Sequence, residues 1–468
     1  MLFNSTEFIF FFLPFVVIIY YLTRCSGFFF AGKIWLICAS LFFYSWWQYE
    51  YLIILLLSVT GNYFASKVIG RYRSRPVLFC TLVLNLLPLF YYKYTHFVFE
   101  NIDAFFGQSF NIERILLPLA ISFFTFQQIA YLVDVYRSKR SFSYTFTDYF
   151  LFVTFFPQLI AGPIVHHYQL IPQLNNITSK VPHEHFFSGV LLFSIGLFKK
   201  VVIADNLAPY ANLAFGVHSG NLSFVDAWVG TLSYSLQLYF DFSGYADMAL
   251  GVAMMFNIIL PINFNSPYKS VSIKDFWSRW HITLSHWLRD YIYLPLGGNR
   301  YKTARNVLTT FLIGGIWHGA GWGFIIWGAI HGLSLVAYNR WSKFGFYMPR
   351  VISWLITLMV VHIGWVFFRA ESLQSSLDIV ESMLFINTNQ HELFAYNSEI
   401  VSKKSIFLVI TFFIVSVFFQ NSNQIIEGYK NNGTMANKVK TFVFGLMFGV
   451  STVLLLSSDH YEFLYFNF

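Results

Sequence analysis

The sequence predicts an all-α, polytopic integral membrane protein. Two observations carry that reading. Of the 468 residues, 56% are hydrophobic and only 11% charged, whereas soluble domains average about 25% charged residues. The apolar residues also gather into long runs of the kind helices need to cross a bilayer, without the alternation of an outer-membrane barrel. The 58 phenylalanines and 13 tryptophans supply lipid-facing and interface-belt residues. A net charge of +8 is expected in cytoplasmic loops of such a protein, so nucleic acid is excluded as a partner and membrane lipid takes its place.

The first apolar run, 7–22, is read as a span. No basic region precedes it, and Tyr20-Tyr21-Leu22-Thr23-Arg24 offers no small-residue cleavage site. Further apolar segments lie at 28–47, 51–69, 77–92, 115–133, 149–165, 186–204, 225–240, 244–260, 306–320, 321–338, 351–368, 404–420 and 440–457. Several are short enough to be re-entrant, which leaves roughly 11 to 13 crossings plus re-entrant and interfacial helices. Arg71, Arg73 and Arg75, and then Arg137, Lys139 and Arg140, mark cytoplasmic ends two spans apart. The acidic stretch 93–114 is then an outer loop, and counting back puts the N-terminus outside. Cys25, Cys38 and Cys80 are expected as buried apolar thiols without disulfide or metal spacing. No repeat or separable soluble domain interrupts the chain, so 1–468 reads as one membrane domain.

Among the polar stretches, 261–305 is the most informative. Over 273–291, Ile273, Phe276, Trp277, Trp280, Leu284, Trp287, Leu288 and Tyr291 share one helical arc. This predicts an amphipathic interfacial helix, with His281 at the edge of its apolar face. Asp275 and Arg279, at i,i+4 spacing, read as a structural ion pair. Before it, Asp241 and Asp247 bracket Ser243-Gly244 at the joint of two apolar segments. That joint is either a polar patch on a substrate tunnel or a helix-ending turn with Asp caps. Gln158-Leu159-Ile160-Ala161-Gly162-Pro163 is a second expected break.

The stretch 312–322 places His318 in a glycine-rich apolar run with Trp317, Trp322 and, further on, Trp327. The imidazole lies 13 residues past Arg305, roughly 20 Å along a helix, well inside a hydrocarbon core of about 30 Å. An ionisable group at that depth points to function. Gly314 and Gly315 leave room for a neighbour or ligand, and Trp317, Trp322 and Trp327 are candidate pocket walls. His331 falls about 220° around a continuous helix from His318, so the two point apart unless the chain breaks near Gly319–Gly323. No metal site is expected, because no partner ligand stands at i+4. A buried histidine without an adjacent Ser or Cys nucleophile suits general-base work on a hydroxyl brought from outside.

Trp317-His318-Gly319, preceded by Phe276-Trp277-Ser278-Arg279-Trp280-His281 and Leu288-Arg289-Asp290-Tyr291, resembles the membrane-bound O-acyltransferase (MBOAT) family. The likeness is to its bacterial alginate and peptidoglycan O-acetyltransferase branch. Leu294-Pro295-Leu296-Gly297-Gly298-Asn299-Arg300, Phe240-Asp241-Phe242-Ser243-Gly244-Tyr245, Ile160-Ala161-Gly162-Pro163, Gly364-Trp365-Val366-Phe367-Phe368-Arg369 and Phe3-Asn4-Ser5 extend it over nearly the whole chain. The resemblance implies a ring of tilted helices around a tunnel, with His318 as the essential histidine and His281 as a second shared one. It implies acetyl transfer from a cytoplasmic donor such as acetyl-CoA, with no bound cofactor, to hydroxyls of an exopolysaccharide or cell-wall sugar. A periplasmic SGNH-type O-acetyltransferase would be a separate partner, and the bacterial cytoplasmic (inner) membrane the location. The competing expectation is a transporter or channel that carries the acyl group without catalysing its transfer, although no pair of related halves is evident.

Overall fold

The computed structural model describes residues 1–46, 48–107, 113, 115–138, 144–160, 162–176, 183–216, 222–346, 348–386, 399–431, 434–457 and 464. Among them there is helix and irregular chain but no strand. Among the described residues, six helices are long and apolar enough to cross a membrane: Phe8–Cys25, Tyr49–Tyr72, Arg75–Phe106, His183–Phe215, Arg350–Arg369 and Lys438–Ser457. The bent pair Lys403–Phe418 and Ser422–Tyr429 makes a seventh if it counts as one span. Other apolar segments form shorter helices, such as Phe29–Ser45, Ile121–Arg137 and Thr303–His318, of 17, 17 and 16 residues. Much of the surface is apolar: Phe11, Phe15, Leu57, Phe79 and Phe407 are all exposed, as lipid-facing side chains of a multi-pass membrane protein are. Cys25, Cys38 and Cys80 lie exposed as well, which corrects the expectation of buried thiols.

The chain sorts into two compact units, Met1–Phe193 with Tyr245–Pro261 and Leu455–Tyr461, and Ser194–Gly244 with Ile262–Leu454 and Glu462–Phe468. In the first, the N-terminal amine donates to the Phe43 carbonyl at 3.0 Å, and Phe3 stacks on Tyr245 at 4.7 Å. Ser5 Oγ accepts from the Phe8 N–H at 3.2 Å at the start of the first helix. Arg73, at the turn between two long helices, donates to the Val135 and Tyr136 carbonyls at 3.1 and 2.7 Å. The basic residues 71–75 and Arg137 therefore share one end of this unit, as the charge parity requires; Lys139 and Arg140 lie outside the described residues. The stretch 93–106 is helical, not a loop, because helix Arg75–Phe106 runs on until Gly107 caps it at φ 65°. No breaker stands between Tyr92 and that glycine. The break at 158–163 is present: a four-residue helix ends at Leu159 before Gly162 and Pro163, with Ala161 outside the described residues.

Two elements depart from the helical reading of the second half. Helix Phe224–Met255 passes without interruption through Ser243-Gly244, so neither a break nor a pair of capping aspartates exists there. Gly244 serves packing: a Cβ on it would lie 2.7 Å from the Gly196 carbonyl and 3.0 Å from Lys199 Cβ. Conversely, 273–291 is not one helix. It divides into Ile273–Trp277, Ile282–Leu288 and the wider turn Arg289–Tyr293, and His281 at the division takes φ 42°. The cause is tertiary: the Ile282 N–H donates to the Asn263 carbonyl at 3.0 Å, and the Asn265 N–H to the Arg279 carbonyl at 2.9 Å. These bonds replace helical ones. The predicted apolar arc survives as a buried set, Ile273, Phe276, Trp277, Trp280, Leu284, Trp287 and Leu288, while Tyr291 is half-buried. The arc faces protein, not the membrane interface. Asp275 and Arg279 pair at 2.7 Å as expected.

Candidate active site

The site lies in the second unit, around a helical hairpin. Helix Thr303–His318 ends at His318, and helix Trp322–Trp341 begins after a short break in which Gly319 and Gly321 are extended. Glycines bring the two helices into backbone contact. A Cβ on Gly315 would fall 2.3 Å from the Phe324 carbonyl oxygen, and one on Gly328 would fall 2.5 Å from that of Phe311. The space beside Gly315 is thus filled by a neighbouring helix, not by a ligand.

His318, 4% exposed, is enclosed edge-to-face by Trp317, Trp327 and Phe368, with ring centroids 4.8, 5.0 and 5.1 Å away. His281 also neighbours Trp317, 6.4 Å between centroids, and packs edge-on against Phe242 at 4.9 Å. The structure therefore brings together His318, His281, Trp317 and Trp327. Trp322, at the hairpin turn, is 53% exposed.

His281 is fully buried, and its Nδ1 sits 3.1 Å from Asn263 Oδ1. That oxygen also accepts from the Thr283 N–H at 3.2 Å and the Thr283 hydroxyl at 2.9 Å. The backbone donor fixes the amide orientation, so Nδ1 carries the proton and Nε2 is the nitrogen with the lone pair. Desolvation lowers the His281 pKa to about 3, which keeps the ring neutral near pH 7.

The two aspartates have other surroundings. Asp241 is buried in an ion pair, its Oδ1 2.7 Å from Lys200 Nζ and its Oδ2 accepting from the Leu464 N–H at 3.1 Å. Lys200 also meets Asp205 at 2.6 Å. Both oxygens of Asp241 are engaged within the protein, so it is a counter-ion in place of the expected tunnel-lining contact. Asp247, further along the same helix, belongs to the first unit and is buried there.

Two further histidines are buried in this unit. On a continuous helix His331 would point away from His318, but the chain breaks at Gly319–Gly321, the case in which the two can converge. His331 is buried between Trp277, Trp327 and Phe276, at 5.1, 4.8 and 6.2 Å. It shares the Trp327 ring with His318. The signal was the Gly-Ala-Gly between the two segments. His362 stands alone in the apolar run 351–368, and its depth could have marked it. It is held by both nitrogens, Nδ1 to Ser235 Oγ at 2.8 Å and Nε2 to Thr231 Oγ1 at 3.1 Å, and it stacks on Trp228 at 5.3 Å. That makes it a lock between helices Arg350–Arg369 and Phe224–Met255.

A buried, aromatic-walled cluster with two imidazoles is suited to accepting a proton from an incoming hydroxyl. Residues 137–376, which contain this entire cluster, match the model of MBOAT, the membrane-bound O-acyltransferase family. The chain belongs to that family and is an O-acyltransferase. Its relatives narrow the kinship. It is 41% identical to the peptidoglycan O-acetyltransferase of Helicobacter pylori, over all of this chain and 98% of that protein. It is 42% identical to a "Probable alginate O-acetylase" of Pseudomonas aeruginosa, over 83% of this chain and 76% of the other. A more distant relative is the teichoic acid D-alanyltransferase of Bacillus subtilis, 28% identical over 63% of this chain and 78% of the other.

Proposed function

We propose that this protein moves an acetyl group from a cytoplasmic thioester, acetyl-CoA, towards hydroxyls of a cell-surface or cell-wall polysaccharide of the peptidoglycan or alginate kind. It works in the bacterial cytoplasmic (inner) membrane with Met1 on the outer face, and hands the acetyl group to a periplasmic SGNH-type O-acetyltransferase. Acetyl-CoA is consumed as substrate, and no resident cofactor is required. The acceptor class rests on two relatives that share 41% and 42% identity and whose names specify peptidoglycan and alginate O-acetylation.

The observation that carries the chemical reading is the pair of buried imidazoles that both neighbour Trp317, at 6.4 and 4.8 Å between ring centroids. His318 is the general base that takes the proton of the attacking hydroxyl. His281 presents the lone pair of Nε2 to a second hydroxyl of the acceptor, with Asn263 holding its tautomer. Trp317 and Trp327 wall the chamber and exclude water, which strengthens each polar contact inside it.

The test is His318→Ala in the producing cell, with the protein at matched level in the membrane. Loss of base-labile acetyl groups from the surface polymer is expected. Normal acetyl content would end the catalytic assignment. Purified protein given labelled acetyl-CoA and either muropeptide or oligomannuronate acceptors separates an enzyme from a carrier. A carrier moves label only across a sealed membrane and forms no ester.

A further inference from the structure

The motif Gly364-Trp365-Val366-Phe367-Phe368-Arg369 lends Phe368 to the enclosure of His318, but the charge at its end has no part in the chemistry above. Arg369 closes helix Arg350–Arg369. That helix packs antiparallel to Trp322–Trp341. A Cβ on Gly323 would stand 2.3 Å from the Phe367 carbonyl oxygen, and one on Gly364 would stand 2.9 Å from His331 Nε2. Arg369 therefore shares an end with the turn at Gly319–Gly321. Arg340, Lys343 and Arg350 lie at the opposite end, as do Arg300, Lys302 and Arg305, where helix Thr303–His318 begins. Cations gathered at one end mark it as cytoplasmic. Arg369 then belongs to the outer side, from which an acceptor sugar arrives.

The guanidinium is fixed in place but not neutralised. Its carbon stands 5.7 Å from the ring centroid of Phe215 and 6.0 Å from that of Tyr234, two buried rings that pack 5.3 Å apart. Nη2 donates to Asn212 Oδ1 at 3.2 Å. Among the described residues that is its one hydrogen bond, and no carboxylate or backbone carbonyl meets it. A basic residue in a last turn can cap its own helix carbonyls; this one reaches instead to helix Asp205–Phe215. A guanidinium carries five N–H donors, so most of the fork is open. Arg369 is half-buried and Asn212 exposed, which leaves that open edge within reach of a solute. A planar cation laid on two rings and lacking a counter-ion matches the two oxygens of a carboxylate.

We propose that Arg369, its plane set by Asn212, Phe215 and Tyr234, binds a carboxylate of the acceptor sugar and selects acidic acceptors, such as uronates and muramic acids, over neutral ones. This rests on the acyl-transfer reading above. The ion pair makes and breaks no covalent bond; it recruits the sugar and orients it. Because the rings hold the guanidinium before the sugar arrives, little side-chain freedom is lost on binding. A lipid phosphate would suit the same fork, but it would give no preference between an acidic and a neutral acceptor.

The experiment uses the full chain in phosphatidylcholine nanodiscs with saturating acetyl-CoA. It measures ester formed on oligomannuronate, on a muramic-acid disaccharide, and on the carboxyl-reduced form of each. In wild type, KM is expected to be at least about tenfold lower for the acid than for its neutral counterpart in one pair or both, the size of one charge-assisted hydrogen bond. Arg369→Gln should raise KM for that acid about tenfold, hold kcat within about twofold, and bring the acid-to-neutral ratio near one. Asn212→Asp keeps the arginine and its ring contacts but supplies an internal carboxylate. It should erase the preference too, and it decides the matter if Arg369→Gln fails to insert. Arg369→Lys keeps the charge without the planar fork and should fall between. Equal KM for acid and neutral acceptors in wild type overturns the proposal and leaves the fork to lipid phosphate. A preference that survives in the inserted variants overturns it as well. Either result, with ester still formed, leaves acyl transfer standing. If wild type esterifies none of the four acceptors, the acyl-transfer reading fails and this selection fails with it.

Discussion

Asn263→Ala isolates the residue that sets the His281 tautomer. The amide oxygen accepts from three groups, His281 Nδ1, the Thr283 N–H and the Thr283 hydroxyl, within 2.9–3.2 Å, and Asn263 is buried. Each buried donor left without an acceptor costs about 1–3 kcal/mol. The hydroxyl can rotate to another partner, but the N–H of Thr283 cannot. A loss of roughly 2–4 kcal/mol in stability follows. The functional loss has a separate origin. Without Oδ1 the proton is free to move to Nε2, and the lone pair that receives the acceptor hydroxyl is gone. One hydrogen bond in a buried site corresponds to about 1.5 kcal/mol, or roughly tenfold in kcat/KM for the acceptor. Asn263→Asp is the informative companion. It keeps the acceptor geometry but sets a carboxylate beside the imidazole, which stabilises the protonated ring and raises its pKa from about 3. Wild type should therefore show no acid limb attributable to His281 above pH 5. The Asp variant should acquire one as the pH falls through the raised pKa. The assay is kcat/KM for the acceptor against pH, with thermal unfolding in detergent measured in parallel. Superimposable pH profiles for wild type and Asn263→Asp, or an Asn263→Ala protein with unchanged kcat/KM, would refute the assignment.

Three further outcomes are expected. Lys200→Met leaves Asp205 and Asp241 without their cation, and breaking such a buried pair costs about 3–5 kcal/mol. The double variant Lys200→Met with Asp241→Asn should melt higher than Lys200→Met alone, and equal melting temperatures would show that the pair is not coupled. Gly328→Leu forces a side chain against the Phe311 carbonyl, 2.5 Å from where its Cβ must stand, and should abolish both a cooperative melt and transfer; an active, normally melting variant would contradict the hairpin packing. The folded His281 pKa lies below the free value of 6.5, so the unfolded chain binds the extra proton between those values. The contribution of His281 to stability is thus complete above about pH 6.5 and is lost as pH falls towards 3. His281→Gln should flatten that part of the stability–pH curve, which detergent melts at pH 5 and 7 will read.

The fold class was legible in the sequence alone, and so were His318, Trp317 and Trp327, which the fold packs together. Composition and run length made the chain an all-α membrane protein, because the bilayer leaves an apolar segment few alternatives to helix. The cost of burying an imidazole singled out His318, and a period of 3.6 marked the arc from Ile273 to Leu288 that is buried in the fold. What the tertiary structure decided was where regular helix gives way and what comes back beside it. Periodicity carries no term for a backbone bond from a distant segment, so the bonds of Asn263 and Asn265 that interrupt 273–291 left no trace in the pattern. Nor does Ser-Gly record whether glycine breaks a helix or lets another approach it. At Gly244 it does the second, and the supposed pair of capping aspartates becomes a counter-ion to Lys200 and a buried residue of the other unit. His331 shows the limit most plainly. Helical phase turns it away from His318 only on a continuous helix, and the break at Gly319–Gly321 sets both rings against Trp327. Local sequence supplies the side chains and their cost of burial; which of them meet is set by contacts between residues far apart in the chain.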